Sequence, residues 1–156
     1  MKRIALFPGS FDPFTKGHED IVLRGLRLFD EVVIGIGRNA RKERYFSLEQ
    51  MTQLIEEAFQ QYPEVRVINY DDLTADVART IGAKFLLRGL RNTTDFEYEN
   101  GISQVNRYIY EEVETVFLIT SPHLAPISSS IIRDLHRYGQ KVDPFLPYQL
   151  EKVINQ

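Results

Sequence analysis

Five short apolar runs recur along the chain, and each is followed by a stretch that favours a helix. The runs span residues 3–7, 31–37, 64–70, 84–89 and 114–120. They are continuous rather than alternating, which is typical of strands covered by helices on both faces. This alternation predicts an α/β fold with a doubly wound, parallel, five-stranded sheet. We expect the strand order 3-2-1-4-5 and a single domain over residues 1–156, a length that suits one core.

Capping signals divide the intervening stretches into helices. The expected N-caps are Ser47, in a capping box with Gln50, then Asp95, then Ser128 or Ser129. Gly82 and Gly139 are expected to end helices, and Pro147 suits the first position of a last helix. Helical spacing predicts buried positions on three of the helices: Ile21, Gly25, Leu28 and Phe29; Leu48, Met51, Ile55, Ala58 and Phe59; and Phe96, Ile102, Val105 and Ile109.

Composition and missing motifs narrow the classes of function. The chain has no cysteine, which excludes thiolate zinc sites and suits a cytoplasmic protein. No apolar run approaches the roughly 20 residues of a membrane span, and the net charge of −3 gives no basic excess for nucleic acid. The fold is Rossmann-like, yet GxGxxG is missing after the first strand, which disfavours an ordinary dehydrogenase. A P-loop is excluded because GxxxxGK[ST] is missing.

Two unusual loops fall where such a sheet binds ligands. In the order 3-2-1-4-5 the first and fourth strands are neighbours, and ligands bind beyond their carboxyl ends. The loops there read PGSFDPFTKGH and RGLRNTTDF. Gly9 permits a sharp turn, Ser10 offers a hydroxyl and an amide, and His18 lies at a helix N-terminus that favours phosphate. An isolated His18 would more often be a capping or packing residue, but this setting favours a phosphate contact.

Other loops on the same edge add cations and hydroxyls. Arg88 ends the fourth strand and Arg91 follows, and both can bind phosphate oxygens. The segment RNARKER follows the second strand and contains Lys42, although each of its cations can equally be a solvated surface charge. The run ISSS opens a helix after the fifth strand. Such a site can stabilise a phosphoryl centre electrostatically without a covalent intermediate.

Together these residues resemble a known family. GSFDPFTKGH is similar to the [ST]xGH signature of the nucleotidyltransferase superfamily, with Thr15 where many members have a first histidine. RGLRNTTDFEYE, ISSS and FLPYQL resemble blocks of the bacterial phosphopantetheine adenylyltransferases, in register over nearly the whole chain. The resemblance implies transfer of the adenylyl group of ATP to 4′-phosphopantetheine, giving 3′-dephospho-coenzyme A and pyrophosphate in coenzyme A biosynthesis. It also implies Mg²⁺ carried mainly by the ATP phosphates, inhibition by coenzyme A and a cytoplasmic homohexamer.

The resemblance further implies roles for individual residues. The catalytic residues would be His18, Lys42 and Arg88, and the residues that contact phosphopantetheine would be Ser10, Lys42, Thr74 and Arg88. ATP would contact Ser10, Phe11, His18, Gly89, Leu90, Arg91, Glu99, Leu124, Ala125, Pro126, Ile127, Ser128, Ser129 and Ser130. Many members carry an aromatic-Ser-aromatic run at positions 124–126, so Leu-Ala-Pro here implies a weaker or different contact to adenine.

Two other functions stay open from the sequence. One is a nicotinate-mononucleotide adenylyltransferase or a cytidylyltransferase of the same superfamily, against which the TDFEYE block argues. The other is a non-catalytic nucleotide-binding sensor, which would be expected to lose His18, Lys42 or Arg88.

Overall fold

The computed structural model describes residues 1–150, and they contain one parallel sheet in the order β3-β2-β1-β4-β5. This order and the α/β class were both predicted and are confirmed. The strand bounds are β1 Ile4–Gly9, β2 Glu31–Gly37, β3 Val65–Tyr70, β4 Phe85–Leu90 and β5 Glu114–Ile119. The helix bounds are α1 Lys16–Gly25, α2 Leu48–Ala58, α3 Thr74–Ile81, α4 Thr93–Ile109 and α5 Ser129–Arg137, followed by a 3₁₀ turn at Asp143–Phe145.

Apolar clusters cover both faces of the sheet. Ala5 and Phe7 of β1 belong to one cluster, which includes buried residues of α1, α2 and α5. Leu6, between them, belongs to the other cluster, which includes buried residues of α3. Successive strand side chains point to opposite faces, so this split shows that the sheet is doubly wound. Within residues 1–150 no helix has the length and apolar character needed to cross a membrane.

The first strand is longer than its apolar run predicts. Pro8 and Gly9 continue β1 and pair with Gly35 and Ile36 of β2. The strand therefore extends past residue 7, where the apolar run ends. Proline is tolerated there because β1 pairs with β4 only at its Ala5 and Leu6 positions, which leaves Pro8 with a single ladder neighbour.

The helix ends mostly follow the predicted caps. Ser47 accepts a hydrogen bond from the Gln50 amide, and Ser128 accepts one from the Ile131 amide. Gly82 ends α3 with a left-handed φ of 76°, as its freedom from a Cβ allows. Gly139 also has a positive φ, just beyond the end of α5. The helix expected from Pro147 extends into residues 151–156, which lie outside the described residues.

The N-cap of α4 is Asn92 and not Asp95. The Asn92 side chain accepts a hydrogen bond from the Asp95 amide at 2.9 Å. The Asp95 carboxylate instead accepts bonds from the backbone amide and the Nε of Arg91. Asparagine and aspartate are both good N-caps. Asn92 is the cap here because the Asp95 side chain is bound to Arg91 instead.

Several apolar positions predicted to be buried are exposed. Leu28 is 42% exposed, beyond the end of α1. On α4 the buried residues are Glu99 and Asn106, because that face of the helix borders a cavity. Other apolar positions of α4 are exposed, and two of them, Tyr98 and Ile102, also line this cavity. We call this exposed set the α4 apolar row: Phe96, Tyr98, Ile102, Val105 and Tyr108.

Candidate active site

Two cavities open beside the carboxyl ends of β1 and β4, where the switch point was expected. The larger has a volume of about 380 Å³ and contains His18, and the smaller, of about 220 Å³, contains Thr74. We call them the His18 cavity and the Thr74 cavity. They share a wall that is made of Gly9, Ser10, Arg88, Tyr98 and Glu99. Two ligands could therefore approach each other across Ser10 and Arg88.

His18 is held at the start of α1 by Thr15. The Thr15 amide donates to Nδ1 of His18 at 2.9 Å, while Oγ1 of Thr15 accepts from the amides of Gly17 and His18. This is a complete capping box. Because Nδ1 accepts a hydrogen bond, the proton of the neutral ring lies on Nε2. His18 can therefore be both a capping residue and a phosphate contact. Its Nδ1 takes part in the helix cap, and its Nε2–H group can donate a hydrogen bond to a ligand.

The capping box also corrects the expectation that α1 offers free amides to an anion. The amides of Gly17 and His18 already donate to Thr15. The first turn of α1 therefore offers the ring N–H of His18 in their place. Thr15, which stands where many superfamily members have a histidine, is 2% exposed and acts as the helix cap.

The surroundings of His18 keep its ring neutral. Its ring centroid lies 5.0 Å from that of Phe11, 5.2 Å from that of Phe14 and 6.1 Å from that of Phe7. Burial among these rings, and then the positive charges of Arg88 and Arg91, lower the pKa of His18 from 6.5 to about 3. At neutral pH the group is an uncharged hydrogen-bond donor.

Arg88 is bound to Glu99 and to the end of β1. Its Nε donates to Oε2 of Glu99 at 3.0 Å, its Nη2 donates to Oε1, and its Nη1 donates to the Pro8 carbonyl. Glu99 is buried, with 9% of its side chain exposed. A guanidinium has five N–H groups, so two of those on Arg88 stay available for a ligand in a fixed direction. The Glu99 carboxylate is occupied by Arg88.

The remaining predicted nucleotide contacts divide into two groups. Gly89 and Arg91 line the His18 cavity, as do Ser10, Phe11, Ile127, Ser128, Ser129 and Ser130. Leu90, Leu124, Ala125 and Pro126 do not line it. The hydroxyls of Ser128 and Ser129 are engaged, the first with the Ile131 amide and the second with the Pro13 carbonyl. The Ser130 hydroxyl accepts from Nη2 of Arg133. The donors that this run can offer a ligand are therefore the O–H groups of Ser128 and Ser130 and the amides at the start of α5.

Gly89 is needed for close packing as well as for access. A Cβ built there would lie 3.0 Å from Cγ1 and 3.1 Å from Cδ1 of Ile21. The absence of a side chain lets α1 approach β4 at the wall of the His18 cavity. The predicted role of Gly89, close backbone approach to a ligand, is consistent with this geometry.

Lys42 and Thr74 lie on different cavities. Thr74 is at the first turn of α3, where its hydroxyl is 3.0 Å from that of Tyr70. Lys42 is exposed and lines a third cavity of about 500 Å³, which adjoins the others at Ser10. Ser10 is thus the predicted residue common to all three cavities.

The protein offers no ready-made metal site in the part of the chain that the structure describes. No three His, Cys, Asp or Glu side chains gather there as a metal-binding group. Of the carboxylates in the His18 cavity, Glu99 is paired with Arg88 and Asp95 with Arg91.

Three contributors to this region escaped prediction. Tyr98 lines both cavities, Asn106 lines the Thr74 cavity, and Arg44 binds the Ser10–Phe11 turn. The sequence contained a signal for Arg44, its place in RNARKER, but nothing distinguished it from the exposed cations beside it.

Comparisons with known proteins agree with this geometry. Residues 6–135 match the cytidylyltransferase-like family model. A phosphopantetheine adenylyltransferase from Cytophaga hutchinsonii is 60% identical over 150 residues, which cover 96% of this chain and all of that protein. Proteins of the same name from Flavobacterium johnsoniae and Streptococcus agalactiae are 52% and 45% identical. The match to the Flavobacterium johnsoniae protein covers 93% of this chain and 95% of that protein. The match to the Streptococcus agalactiae protein covers 100% of this chain and 98% of that protein.

Solved structures are similar in fold. A bifunctional NMN adenylyltransferase/ADP ribose pyrophosphatase from Francisella tularensis superposes with a TM-score of 0.73 at 19% identity, with all of this chain on 51% of that one. The same protein complexed with AMP and a manganese ion gives a TM-score of 0.71. At this identity the likeness supports the fold alone. From the family model and the near-full-length relatives, the chain belongs to the phosphopantetheine adenylyltransferase family of cytidylyltransferase-like proteins.

Proposed function

We propose that the protein transfers the adenylyl group of ATP to 4′-phosphopantetheine and releases pyrophosphate. The observation that carries the proposal is the wall shared by the His18 and Thr74 cavities. A transfer between two substrates needs two adjoining binding volumes whose ligands meet at one place. Ser10 and Arg88 stand at that place. The family membership supports this acceptor over nicotinate mononucleotide.

The chemistry needs little from the protein beyond positioning and charge stabilisation. One oxygen of the acceptor's phosphate monoester attacks the α-phosphorus of ATP in line with the leaving group. A P–O bond forms, the bond to the β-phosphate oxygen breaks, and its electron pair leaves with pyrophosphate. The attacking oxygen is already anionic near neutral pH, so no general base is required.

His18 would stabilise the reacting phosphate as a neutral donor. Its Nε2–H group would donate to a non-bridging α-phosphate oxygen, whose negative charge grows in the transition state. The Thr15 amide on Nδ1 fixes both the tautomer and the ring orientation in advance. Such preorganisation lowers the barrier because no group has to reorient during the reaction.

The other residues would hold the two substrates. Arg88 would present its two remaining N–H groups to the acceptor phosphate, with Glu99 acting through Arg88, and Thr74 would contact the pantetheine arm. Lys42 would approach the reacting phosphates across Ser10. Arg91 and the amides of the 128–130 run would contact the nucleotide. Mg²⁺ would arrive as part of Mg·ATP, because the local carboxylates are engaged with arginines.

A pyrophosphate-release assay tests the proposal directly. The chain is incubated with Mg·ATP and one acceptor at a time: 4′-phosphopantetheine, dephosphorylated pantetheine, nicotinate mononucleotide or a phosphorylated alcohol that cytidylyltransferases use, with CTP also offered as donor. We expect release only with ATP and 4′-phosphopantetheine, and 3′-dephospho-coenzyme A as the product by mass. Release only with nicotinate mononucleotide would assign the chain to another branch of the superfamily.

The proposal extends to assembly and regulation. The resemblance to the family implies a homohexamer, and the α4 apolar row, with Ile119 at 76% exposure on β5, supplies exposed apolar side chains that other copies could cover. Light scattering after gel filtration would give about six times the 18.2 kDa chain mass.

Coenzyme A contains the whole structure of the product 3′-dephospho-coenzyme A. It would therefore compete with both substrates for the two cavities, which supports inhibition by coenzyme A. The lack of cysteine agrees with a cytoplasmic location.

A further inference from the structure

Arg44 is the least exposed cation of the segment between β2 and α2, and its guanidinium binds three main-chain carbonyls. Nη1 donates to the Ser10 carbonyl at 2.6 Å, and Nη2 donates to the Phe11 carbonyl at 3.0 Å. Nε donates to the Phe46 carbonyl at 3.0 Å. Only 15% of its side chain is exposed. The planar guanidinium suits this arrangement because its N–H groups diverge at fixed angles.

Asp12 returns the contact in the opposite direction. Its carboxylate accepts hydrogen bonds from the amides of Tyr45 and Phe46, each at 2.8 Å. Nη2 of Arg44 lies 3.8 Å from Oδ1 of Asp12. The turn after β1 and the segment after β2 are therefore joined by reciprocal side chain to main chain bonds. These contacts leave the Asp12 and Arg44 charges paired with each other.

The contacts of Arg44 set the direction of two amides. In a trans peptide the carbonyl and the following N–H point to opposite sides. The Ser10 carbonyl faces Arg44, so the Phe11 N–H points away from it, and the Phe11 carbonyl directs the Asp12 N–H away in the same manner. Phe11 has a left-handed φ of 46°, which is uncommon for a residue other than glycine. Turns of this kind present successive N–H groups to anions.

We propose that Arg44 is a positioning residue for nucleotide binding and adenylyl transfer. By holding the carbonyls of Ser10 and Phe11, it fixes the next two amides and directs that of Phe11 toward the phosphates of a nucleotide in the His18 cavity, which Ser10 and Phe11 line. Arg44 itself does not touch the nucleotide. This inference rests on the proposed function for its role in transfer, but its effect on nucleotide binding can be measured separately.

The test compares Arg44→Lys with Arg41→Lys. Both variants keep the charge, and Arg41 is an exposed residue of the same segment that lines none of the three cavities. Calorimetric titration with Mg·ATP gives the Kd and the binding stoichiometry, and steady-state assays give kcat and the two KM values. For Arg44→Lys we expect the Kd for Mg·ATP to rise about 5- to 20-fold and kcat to fall about 10- to 100-fold. Arg41→Lys should match the wild type.

The stoichiometry and the acceptor KM separate positioning from folding. Partial unfolding lowers the number of binding sites per chain, whereas misdirected amides raise the Kd with one site per chain retained. The KM for 4′-phosphopantetheine should stay within twofold, because the Thr74 cavity does not contain the Phe11 amide. An unchanged Kd for Mg·ATP overturns the proposal, as does an equal loss of affinity for both substrates.

Asp12→Asn provides a second variant should Arg44→Lys lack a cooperative melt. It removes one of the two carboxylate oxygens that accept amides, and we expect a smaller loss of Mg·ATP affinity in the same direction. An Asp12→Asn chain that folds and binds Mg·ATP as the wild type does would also count against the positioning role of Arg44. A wild-type chain that binds Mg·ATP but transfers no adenylyl group overturns the proposed function. In that case the Kd values for Mg·ATP of the wild type and Arg44→Lys still decide the role of Arg44 in nucleotide binding.

Discussion

The neutral state of His18 leads to a measurable dependence of stability on pH. The variant His18→Gln removes the titrating ring but keeps an oxygen that can accept the Thr15 amide, since glutamine suits this position of a capping box. The pKa of His18 is about 3 in the folded chain and 6.5 without the surrounding structure. Between these values the unfolded chain binds more protons than the folded chain. The contribution of His18 to the free energy of unfolding is therefore fully present above pH 6.5, and it is lost as the pH falls toward 3.

The size of the effect follows from the two pKa values. Between pH 7 and pH 4.5 the wild type should lose about 2.5 kcal/mol from His18 alone, by linkage between protonation and folding. This is an upper value, because His18 is half-buried and water stabilises its charged form where it is exposed. Carboxylates titrate over the same range in both proteins. The difference between the wild type and His18→Gln therefore isolates the contribution of the histidine.

Urea denaturation at half-unit intervals from pH 7 to pH 4.5 measures this difference. The free energy of unfolding of the wild type should fall more steeply than that of His18→Gln, and the gap should widen below pH 6.5. Parallel curves, within about 0.5 kcal/mol, would refute a buried neutral ring and with it the assignment of the Nε2 proton. A gap that opens toward high pH would mean that the ring is charged in the folded chain.

Other perturbations address the wall shared by the His18 and Thr74 cavities and the packing behind it. His18→Ala should lower kcat by about 10²- to 10⁴-fold, as does the loss of an oxyanion donor in other enzymes, and an unchanged kcat would contradict the role of His18. Glu99→Gln should raise the KM for 4′-phosphopantetheine about 10-fold through Arg88 and leave Mg·ATP affinity within twofold; a selective loss of ATP affinity would instead indicate direct nucleotide contact. Gly89→Ala should destabilise the fold by roughly 1–3 kcal/mol in urea, because its Cβ would crowd an α1 side chain. Gly101→Ala is the matched control: a Cβ built there has no neighbour within 4 Å beyond the adjacent backbone of its own helix, and we expect this variant to stabilise α4 slightly.

The sheet could be predicted from the sequence because its order follows from general rules of chain connection. Continuous apolar runs and intervening helices indicate a parallel sheet, and the switch point then brings the first and fourth loops together. Ser10, His18 and Arg88 could be placed at one edge on this basis. The Arg88–Glu99 pair could not, because it depends on how α4 lies across β4. Glu99 lies 11 positions after Arg88 in the sequence, on the helix that follows β4.

The spacing of apolar residues along a helix indicates which side of it is apolar. It does not indicate what that side contacts. The positions Phe96, Ile102 and Val105 share the spacing of a core face, but in a single chain they are exposed. The face of α4 that is buried presents Glu99 and Asn106 to the cavities instead. A polar inward face is a departure from ordinary amphipathic packing. It arises because this face of the helix lines two cavities rather than covering a core.

The charges around the site explain how an acidic protein can hold phosphates. Arg88 is paired with Glu99, Arg91 with Asp95 and Arg44 with Asp12, while His18 is neutral. The ion pairs hold the guanidinium groups in fixed directions at little net charge. Recognition of the phosphates would then depend on aimed N–H groups from side chains and main chain, which distinguish a tetrahedral phosphate from other anions. Lys42, exposed on the adjoining cavity, could add positive charge without altering these directions. Because directed N–H groups rather than net charge would bind the phosphates, a net charge of −3 is no obstacle to binding ATP.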